Sequence, residues 1–301
     1  MTALSVAPRQ RLLAHLAMLA FAGFIAASFT LGGLIAGQIA PVPLNAVRFV
    51  LGTILMGVAA FGVARFKFTP PAAPWRYGVL GLLMAFYFVS MFVALQMTAP
   101  VATSAVFTLI PLMAAGLGLL LLGQKTGPIG LISLLLAGLG SIWVVFRGDI
   151  AAIARFDIGQ GELIFFGGCV CYAIYTPLLR KFSRGEPALV ASFFTVLATT
   201  IWVGLYGFGQ VMQTNWLALP ALVWWVIGYL AIFPTAVTFF LVQFAAQRLP
   251  AAKVIAYGYL TPVFVILFEG LVGHGWASVS VLAGALVVVL GLAVLALVPE
   301  R

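Results

Sequence analysis

The hydrophobic positions of this chain form long uninterrupted stretches that are separated by short polar connections. Each stretch has roughly 18 to 24 residues, and about 20 apolar residues are needed to cross a bilayer as a helix. A membrane β-barrel would instead show segments of about ten residues with alternating character. The pattern therefore predicts an all-α, polytopic membrane protein with ten transmembrane helices. The predicted spans are residues 15–37, 44–64, 77–97, 102–122, 128–146, 160–180, 187–207, 220–243, 252–272 and 278–298.

The composition excludes a soluble domain of comparable length. Hydrophobic residues make up 64% of the 301 residues and charged residues only 7%, whereas a soluble domain carries about 25% charged residues. Arg9 and Arg11 precede the first apolar stretch, as in a signal peptide, but that stretch is longer than a signal-peptide core. We therefore expect it to remain as the first span.

The basic residues give the chain a net charge of +9 and predict its orientation. With the N-terminus in the cytoplasm and alternating spans, twelve of the fifteen basic residues fall on the cytoplasmic side. The other three are Arg48, Arg147 and Arg155. Because basic residues are enriched in cytoplasmic loops, both termini are predicted to be cytoplasmic, in a multi-pass protein of the bacterial inner membrane.

An internal repeat divides the chain into two halves. Shifts of 144 and 151 residues superpose several residues of the first half on identical residues of the second. The pairs are Gly23 with Gly167, Pro43 with Pro187, Phe49 with Phe193, Ala94 with Ala245, Gln96 with Gln247, Ala105 with Ala256, Pro111 with Pro262 and Gly140 with Gly291. Five spans per half is an odd number, so the second half must enter the membrane from the opposite side. Two inverted five-helix repeats are thus predicted, 1–147 and 159–301, an architecture typical of secondary transporters.

Four features together resemble the drug/metabolite transporter superfamily, in its EamA-type branch. They are the duplicated ten-span plan, the segment 45–49 with its Arg48-Phe49 pair, the stretch 94–111, and its counterpart 259–264. The resemblance implies transport of small organic solutes, commonly export of amino acids or related metabolites. It also implies a cavity between the two repeats, lined mainly by spans 1, 3, 4, 6, 8 and 9.

The chain departs from the family pattern after the fourth and ninth spans. Family members often carry Gly-Glu there, whereas this sequence reads Gly123-Gln124 and Gly273-His274. This chain has no carboxylate at those two positions, so a proton-coupling role of the family's glutamates cannot be carried over to it.

Polar side chains within the predicted spans are the candidates for substrate binding, because polar groups in hydrocarbon usually face protein or water. Their hydroxyls, amides and aromatic faces suit a neutral or zwitterionic solute. Alternatively, Ser and Thr bond their own helix carbonyls, Tyr lies at membrane interfaces and Gln joins helices. The candidates are Tyr87, Ser90, Gln96, Thr103, Thr108, Tyr172, Tyr175, Thr238, Gln243, Gln247 and Tyr257.

Five further residues are candidates for coupling or gating. Glu269 is the acid that lies clearly inside a predicted span, where it could carry a proton or attract a substrate amine. Arg48 and Lys253 lie near span ends, where they either face the pathway or extend to the headgroups. Pro111 and Pro262 should interrupt their helices, since proline lacks an N–H and clashes with the preceding turn.

Enzymatic and ATP-driven functions find no support in the motifs. The sequence lacks His-Glu-x-x-His and a Walker A motif, and Cys169 and Cys171 point to different faces of one helix. We therefore expect no enzyme activity, cofactor or metal, and no nucleic-acid partner. The G-x-x-x-G pattern at 33–37 indicates close helix packing and allows either a monomer or a weak homodimer in the lipid bilayer.

The sequence predicts a secondary transporter that exports small organic metabolites, foremost neutral or aromatic amino acids, by alternating access. The alternatives are a passive facilitator or channel for small solutes, and a nucleotide- or sugar-type metabolite carrier.

Overall fold

The computed structural model describes residues 8–123, 127–146, 148–155, 159–273, 276 and 278–297, and this part of the chain contains helices and no strand. The α-helices are α1 (Pro8–Ile35), α2 (Pro41–Gly57), α3 (Trp75–Leu95), α4 (Pro100–Phe107), α5 (Ile110–Leu122), α6 (Pro128–Val145), α7 (Ile150–Ala154), α8 (Gln160–Phe182), α9 (Ala188–Gln213), α10 (Ala221–Ala231), α11 (Thr238–Ala246), α12 (Ala251–Ala256), α13 (Thr261–Leu271) and α14 (Val279–Leu297). A π-helical segment (Val58–Val63) extends α2 and another (Ile232–Val237) joins α10 to α11. Two 3₁₀ turns are Trp216–Ala218 and Tyr257–Leu260, the latter joining α12 to α13.

Within the described residues, eight helical segments are long and apolar enough to cross a membrane. They correspond to α1, α2 with its π extension, α3, α8, α9, α10 with α11, α12 with α13, and α14. The apolar helices α5 and α6 are shorter. Each predicted span lies on one of these segments or, for the fourth span, on α4 and α5 together. The protein is thus a multi-pass membrane protein, while the count of ten spans stays a prediction.

Two of the predicted spans are interrupted just before a proline. α4 ends at Phe107 and α5 begins at Ile110, so Pro111 is in the first turn of α5. α12 ends at Ala256, and Pro262 is in the first turn of α13. Proline removes one backbone donor and clashes with the carbonyl four residues earlier, so a helix ends before it and a new one starts with it.

Close helix contacts surround the centre of the molecule. α3 packs against α8 and α9, and α2 packs against α9. α6 packs against α14, where a Cβ on Gly140 would lie 3.0 Å from the Gly284 carbonyl oxygen, so both helices need glycine at this crossing. The buried apolar core is formed mainly by α1, α2, α3, α8 and α9, with further residues from α10 and α11.

Contacts between loops define two ends of this bundle. At the Gln96 end, α1 and α3 finish and α8 begins; at the Gln247 end, α1 and α3 begin and α8 and α11 finish. Gln96 and Gln247 hold the connections between helices at the Gln96 end and the Gln247 end, respectively.

Candidate functional site

A pocket with mostly aromatic walls lies between α1, α3, α8 and α11. In this conformation its cavity volume is about 10 Å³. Polar groups in its walls are four hydroxyls, and no wall residue is charged. This aromatic pocket is lined by Phe21, Ile25, Met84, Tyr87, Phe88, Tyr172, Tyr175, Thr238, Phe239 and Val242.

Parallel rings form two sides of the aromatic pocket. The rings of Tyr87 and Tyr172 are stacked with centroids 4.8 Å apart, and Tyr175 continues the stack 5.8 Å beyond Tyr172. Phe88 and Phe239 are also stacked, with centroids 6.1 Å apart. Ring faces of this kind suit a planar or apolar side chain, because aromatic contacts favour offset stacking.

A buried hydroxyl in the wall of the aromatic pocket has no hydrogen-bond partner among the described residues. The Tyr87 hydroxyl is buried and finds no hydrogen-bond partner within the part of the chain that the structure describes. A buried hydroxyl normally has such a partner. Tyr87 therefore offers an uncommitted donor and acceptor to a polar group inside the pocket.

The pocket joins equivalent positions of the two halves of the chain. The shift of 151 residues that relates Gln96 to Gln247 also relates Tyr87 to Thr238 and Phe88 to Phe239, and all four of these latter residues line the pocket. The pocket thus lies where corresponding segments of α3 and α11 meet.

Arg48 is fully buried behind one wall of the aromatic pocket. Its Nε donates to Thr235 Oγ1 at 2.8 Å, and its second terminal nitrogen donates to the Pro234 carbonyl at 3.2 Å. The same carbonyl accepts a hydrogen bond from the pocket residue Thr238. The guanidinium carbon lies 4.1 Å from the centroid of the Phe88 ring. The Arg48 side chain is therefore held inside the protein and is not exposed at its surface.

The Gln247 end of the molecule is closed by polar contacts around a second cavity of about 10 Å³. Arg76 forms an ion pair with Glu186 at 3.0 Å and donates to the Phe182 carbonyl. Gln247 Nε2 donates to the Glu186 carbonyl at 3.1 Å. Gln243 lines this second cavity rather than the aromatic pocket.

The Glu186 carboxylate lies in the short connection between α8 and α9. Burial raises the pKa of this carboxyl, but hydrogen bonds from the Arg184 and Glu186 backbone N–H groups and from Arg76 outweigh that effect. The pKa of Glu186 therefore lies below its ordinary value of 4.5, and the carboxylate is ionised at neutral pH.

The Gln96 end is closed by an amide contact of the same kind and by packed rings. Gln96 Nε2 donates to the Ala36 carbonyl at 2.9 Å, in the connection between α1 and α2. Thr98 donates its hydroxyl to the buried Glu162 carboxylate at the start of α8. Beneath these contacts is a ring cluster of fully buried side chains, formed by Phe29, Phe107 and Phe165.

The remaining substrate candidates lie outside the aromatic pocket. Ser90 and Thr103 donate to carbonyls of their own helix, at Tyr87 and Ala99, the alternative that the sequence left open for such residues. Thr108 is buried at the break between α4 and α5. The Tyr257 hydroxyl lies 2.9 Å from His15 Nδ1 on α1.

The coupling and gating candidates other than Arg48 likewise do not line the aromatic pocket. Glu269 lies two residues before the end of α13, and Lys253 Nζ donates to the Ala296 carbonyl of α14 at 3.3 Å. Pro111 and Pro262 are buried at the two helix interruptions. Gln124 and His274 lie outside the described residues.

Sequence reasoning identified four of the ten pocket residues and missed the apolar six. Phe88 and Phe239 carry no polar atom, so within a span they resemble ordinary core residues. Their equivalence under the 151-residue shift was the available signal. The ion pair was missed as well: Arg76 counted only as an orienting charge, although Glu186 is the acid of a short basic connection.

Known proteins resemble this chain over both of its halves. The EamA-like transporter family matches residues 12–146 and, a second time, residues 159–297. The chain is 28% identical over 284 residues to the uncharacterized transporter YyaM of Bacillus subtilis (strain 168), covering 92% of this chain and 91% of that protein. A crystal structure of a protein with 22% sequence identity aligns with a TM-score of 0.75, over 96% of this chain and 98% of the other, and shows the fold.

Proposed function

Because the chain belongs to the EamA-like transporter family of the drug/metabolite transporter superfamily, we propose that it is a secondary transporter that exports neutral or aromatic amino acids and related small metabolites. The observation that carries this proposal is the aromatic pocket at the meeting point of the two halves. Transporters built from repeats bind their solutes at such an interface. The membership supports transport of small solutes, and the pocket supports the narrower substrate class.

The proposed topology has ten spans in two inverted repeats, 1–147 and 159–301. The Gln247 end would face the cytoplasm of a bacterium, with both termini on that side of the inner membrane. Arg76, Arg180, Lys181, Arg184 and Arg248 lie at or near this end, and an excess of basic residues marks cytoplasmic loops.

The wall chemistry of the aromatic pocket supports a neutral or zwitterionic solute. Stacked rings would hold an apolar or planar side chain, while the Tyr87 and Thr238 hydroxyls would bind its polar groups. The absence of charge from all ten wall residues argues against a solute with several charges, such as a nucleotide.

The two glutamine contacts support alternating access. Gln96 and Gln247 are equivalent in the repeat, and each holds the connection that follows the first helix of a half. Inverted repeats place such equivalent contacts at opposite membrane faces. Release of one contact with retention of the other would open the aromatic pocket to one side only.

Flux measurements in proteoliposomes test the proposal. Vesicles containing the protein should release labelled neutral amino acids, with aromatic ones fastest, well above empty vesicles, with or without a pH gradient. Tyr172→Ala and Thr238→Trp should reduce this flux strongly, because one removes the central ring and the other fills the pocket. The matched control is Tyr206→Ala, since Tyr206 is 74% exposed on α9. Absence of flux for a broad panel of neutral amino acids would refute the proposal.

A further inference from the structure

Arg48 is a buried cation whose hydrogen-bond partners within the described ranges are all neutral. Its hydrogen-bond acceptors are the Thr235 hydroxyl, the Pro234 carbonyl and, at 3.5 Å, the Asn45 side-chain oxygen. The ion pair found among the described residues is that of Arg76 with Glu186, which lies at the Gln247 end. Burying a cation without an anion is costly, so such groups are usually paired.

Arg48 is connected to two wall residues of the aromatic pocket. Its guanidinium lies against the Phe88 ring, which is a pocket wall. The Pro234 carbonyl that it binds also accepts from Thr238, another wall residue. Pro234 lies in the π-helical segment Ile232–Val237 that joins α10 to α11.

A positive potential inside the pocket follows from this arrangement. All ten wall residues are uncharged, so none of them offsets Arg48. Around a buried site the effective dielectric constant is low, and a charge acts over several ångströms. A solute that brings a negative group into the pocket would supply the missing counter-charge, whereas a net cation would be repelled.

We propose that Arg48 is a specificity-determining residue that makes the aromatic pocket select solutes carrying a carboxylate and reject their cationic analogues. This inference rests on the proposed function and narrows its substrate class. Arg48 acts across the Phe88 ring, through its field, and does not touch the solute. The Tyr87 hydroxyl also lines the pocket and has no hydrogen-bond partner in the part of the chain that the structure describes, so it is available to donate to the carboxylate.

The relative binding of three probes that share a benzyl side chain tests the proposal. The probes are L-phenylalanine, N-acetyl-L-phenylalanine and L-phenylalaninamide at pH 6, where the amine of the amide is protonated. Wild-type protein in proteoliposomes should bind the two carboxylates about tenfold more tightly than the amide, as a charge a few ångströms away at intermediate dielectric requires.

Two substitutions separate charge from shape. Arg48→Gln should bring the preference for the carboxylates close to one, whereas Arg48→Lys should retain most of it. Thr235→Ala removes one acceptor of Arg48 but keeps the charge, and should leave the preference intact. Each variant is checked by its thermal unfolding and by size-exclusion chromatography. If Arg48→Gln does not fold, the binding preference of the wild type and of Arg48→Lys still tests the proposal, because both proteins should prefer the carboxylates.

The outcomes separate this inference from the proposed function. Equal binding of all three probes by the wild type, or an unchanged preference in folded Arg48→Gln, overturns the role of Arg48 while transport stands. Failure of the wild type to bind any of the three probes contradicts the proposed substrate class itself.

Discussion

At the Gln96 end the aromatic pocket is covered by packed rings, whereas at the Gln247 end it is covered by an ion pair that lines a second cavity. Both ends also carry a glutamine that holds a backbone carbonyl, at 2.9 Å and 3.1 Å. The repeat thus supplies one shared contact at each end, and the two ends differ in what surrounds it. Apolar packing is insensitive to pH and salt, while an ion pair responds to both.

The comparison predicts how each end opens, with the native Cys169 as reporter. Cys169 is fully buried on α8, between Phe165 of the ring cluster and Tyr172 of the aromatic pocket. In a Cys171→Ser background, a membrane-impermeant maleimide added on one side labels Cys169 only when the end on that side is open.

The largest effect is expected from Phe107→Ala in the ring cluster. Phe107 is fully buried, packs edge-on against Phe29 at 5.8 Å, and lies over Gly258, where a Cβ would approach its ring to 3.0 Å. Removing a buried Phe side chain costs about 3 kcal/mol. Labelling of Cys169 from the Gln96 side should therefore increase at least about tenfold.

Phe166→Ala is the control for this substitution, because Phe166 is 41% exposed on the outer side of α8. Its labelling rate should match that of the background protein. A comparable increase in both variants would show that the ring cluster does not close the Gln96 end.

The second effect concerns Arg76→Gln at the Gln247 end. This substitution removes the ion pair with Glu186 and the bond to the Phe182 carbonyl. Since the Glu186 side chain is 25% exposed, we expect a loss of about 2 kcal/mol rather than the full value for a buried pair. Labelling should rise from the Gln247 side alone. Glu162→Gln, which weakens the contact with Thr98, should act from the Gln96 side instead.

The two glutamines provide a matched pair of smaller effects. Gln96→Leu and Gln247→Leu each remove one hydrogen bond between an amide and a backbone carbonyl, worth about 1 kcal/mol. Labelling from the Gln96 side should rise about fivefold in the first variant, and labelling from the Gln247 side should rise similarly in the second. Increases on the same side would contradict the assignment of one glutamine to each end.

The smallest effect is the response of the Gln247 end to acid. The pKa of Glu186 is depressed in the folded protein, so its stabilising contribution is complete above its ordinary value of 4.5 and is lost as the pH falls through the lowered pKa. Divided by the rate for a small free thiol at the same pH, which corrects for the loss of reactive thiolate on acidification, labelling from the Gln247 side should be constant from pH 7 to about 5 and rise below the ordinary pKa of Glu186. In Glu186→Gln the same measurement should show no step.

Much of the helical plan could be predicted because it depends on local properties. The apolar stretches determine where helices can cross the membrane. Pro111 and Pro262 interrupt their helices because proline lacks a backbone N–H group. Tyr87 and Thr238 were predicted as candidates because they place hydroxyls inside predicted spans.

The rest of the site depends on contacts between distant segments. The long Arg48 side chain could have reached the headgroups, but the Pro234 carbonyl and the Thr235 hydroxyl, nearly two hundred residues later in the chain, hold it inside. Gln96 and Gln247 were recognised as equivalent, but an amide bonds a solute or a backbone carbonyl equally well. Phe88 and Phe239 line the aromatic pocket without any feature that separates them from core residues.

Counterflow in proteoliposomes tests the central claim most directly, namely that the aromatic pocket opens to one side at a time. Vesicles are loaded with unlabelled L-phenylalanine, diluted, and supplied with a trace of labelled L-phenylalanine outside. The account predicts a transient accumulation of label above its equilibrium level, which Thr238→Trp abolishes. Entry of label that approaches equilibrium without any overshoot, at a rate independent of the internal solute, would indicate a channel and contradict the account.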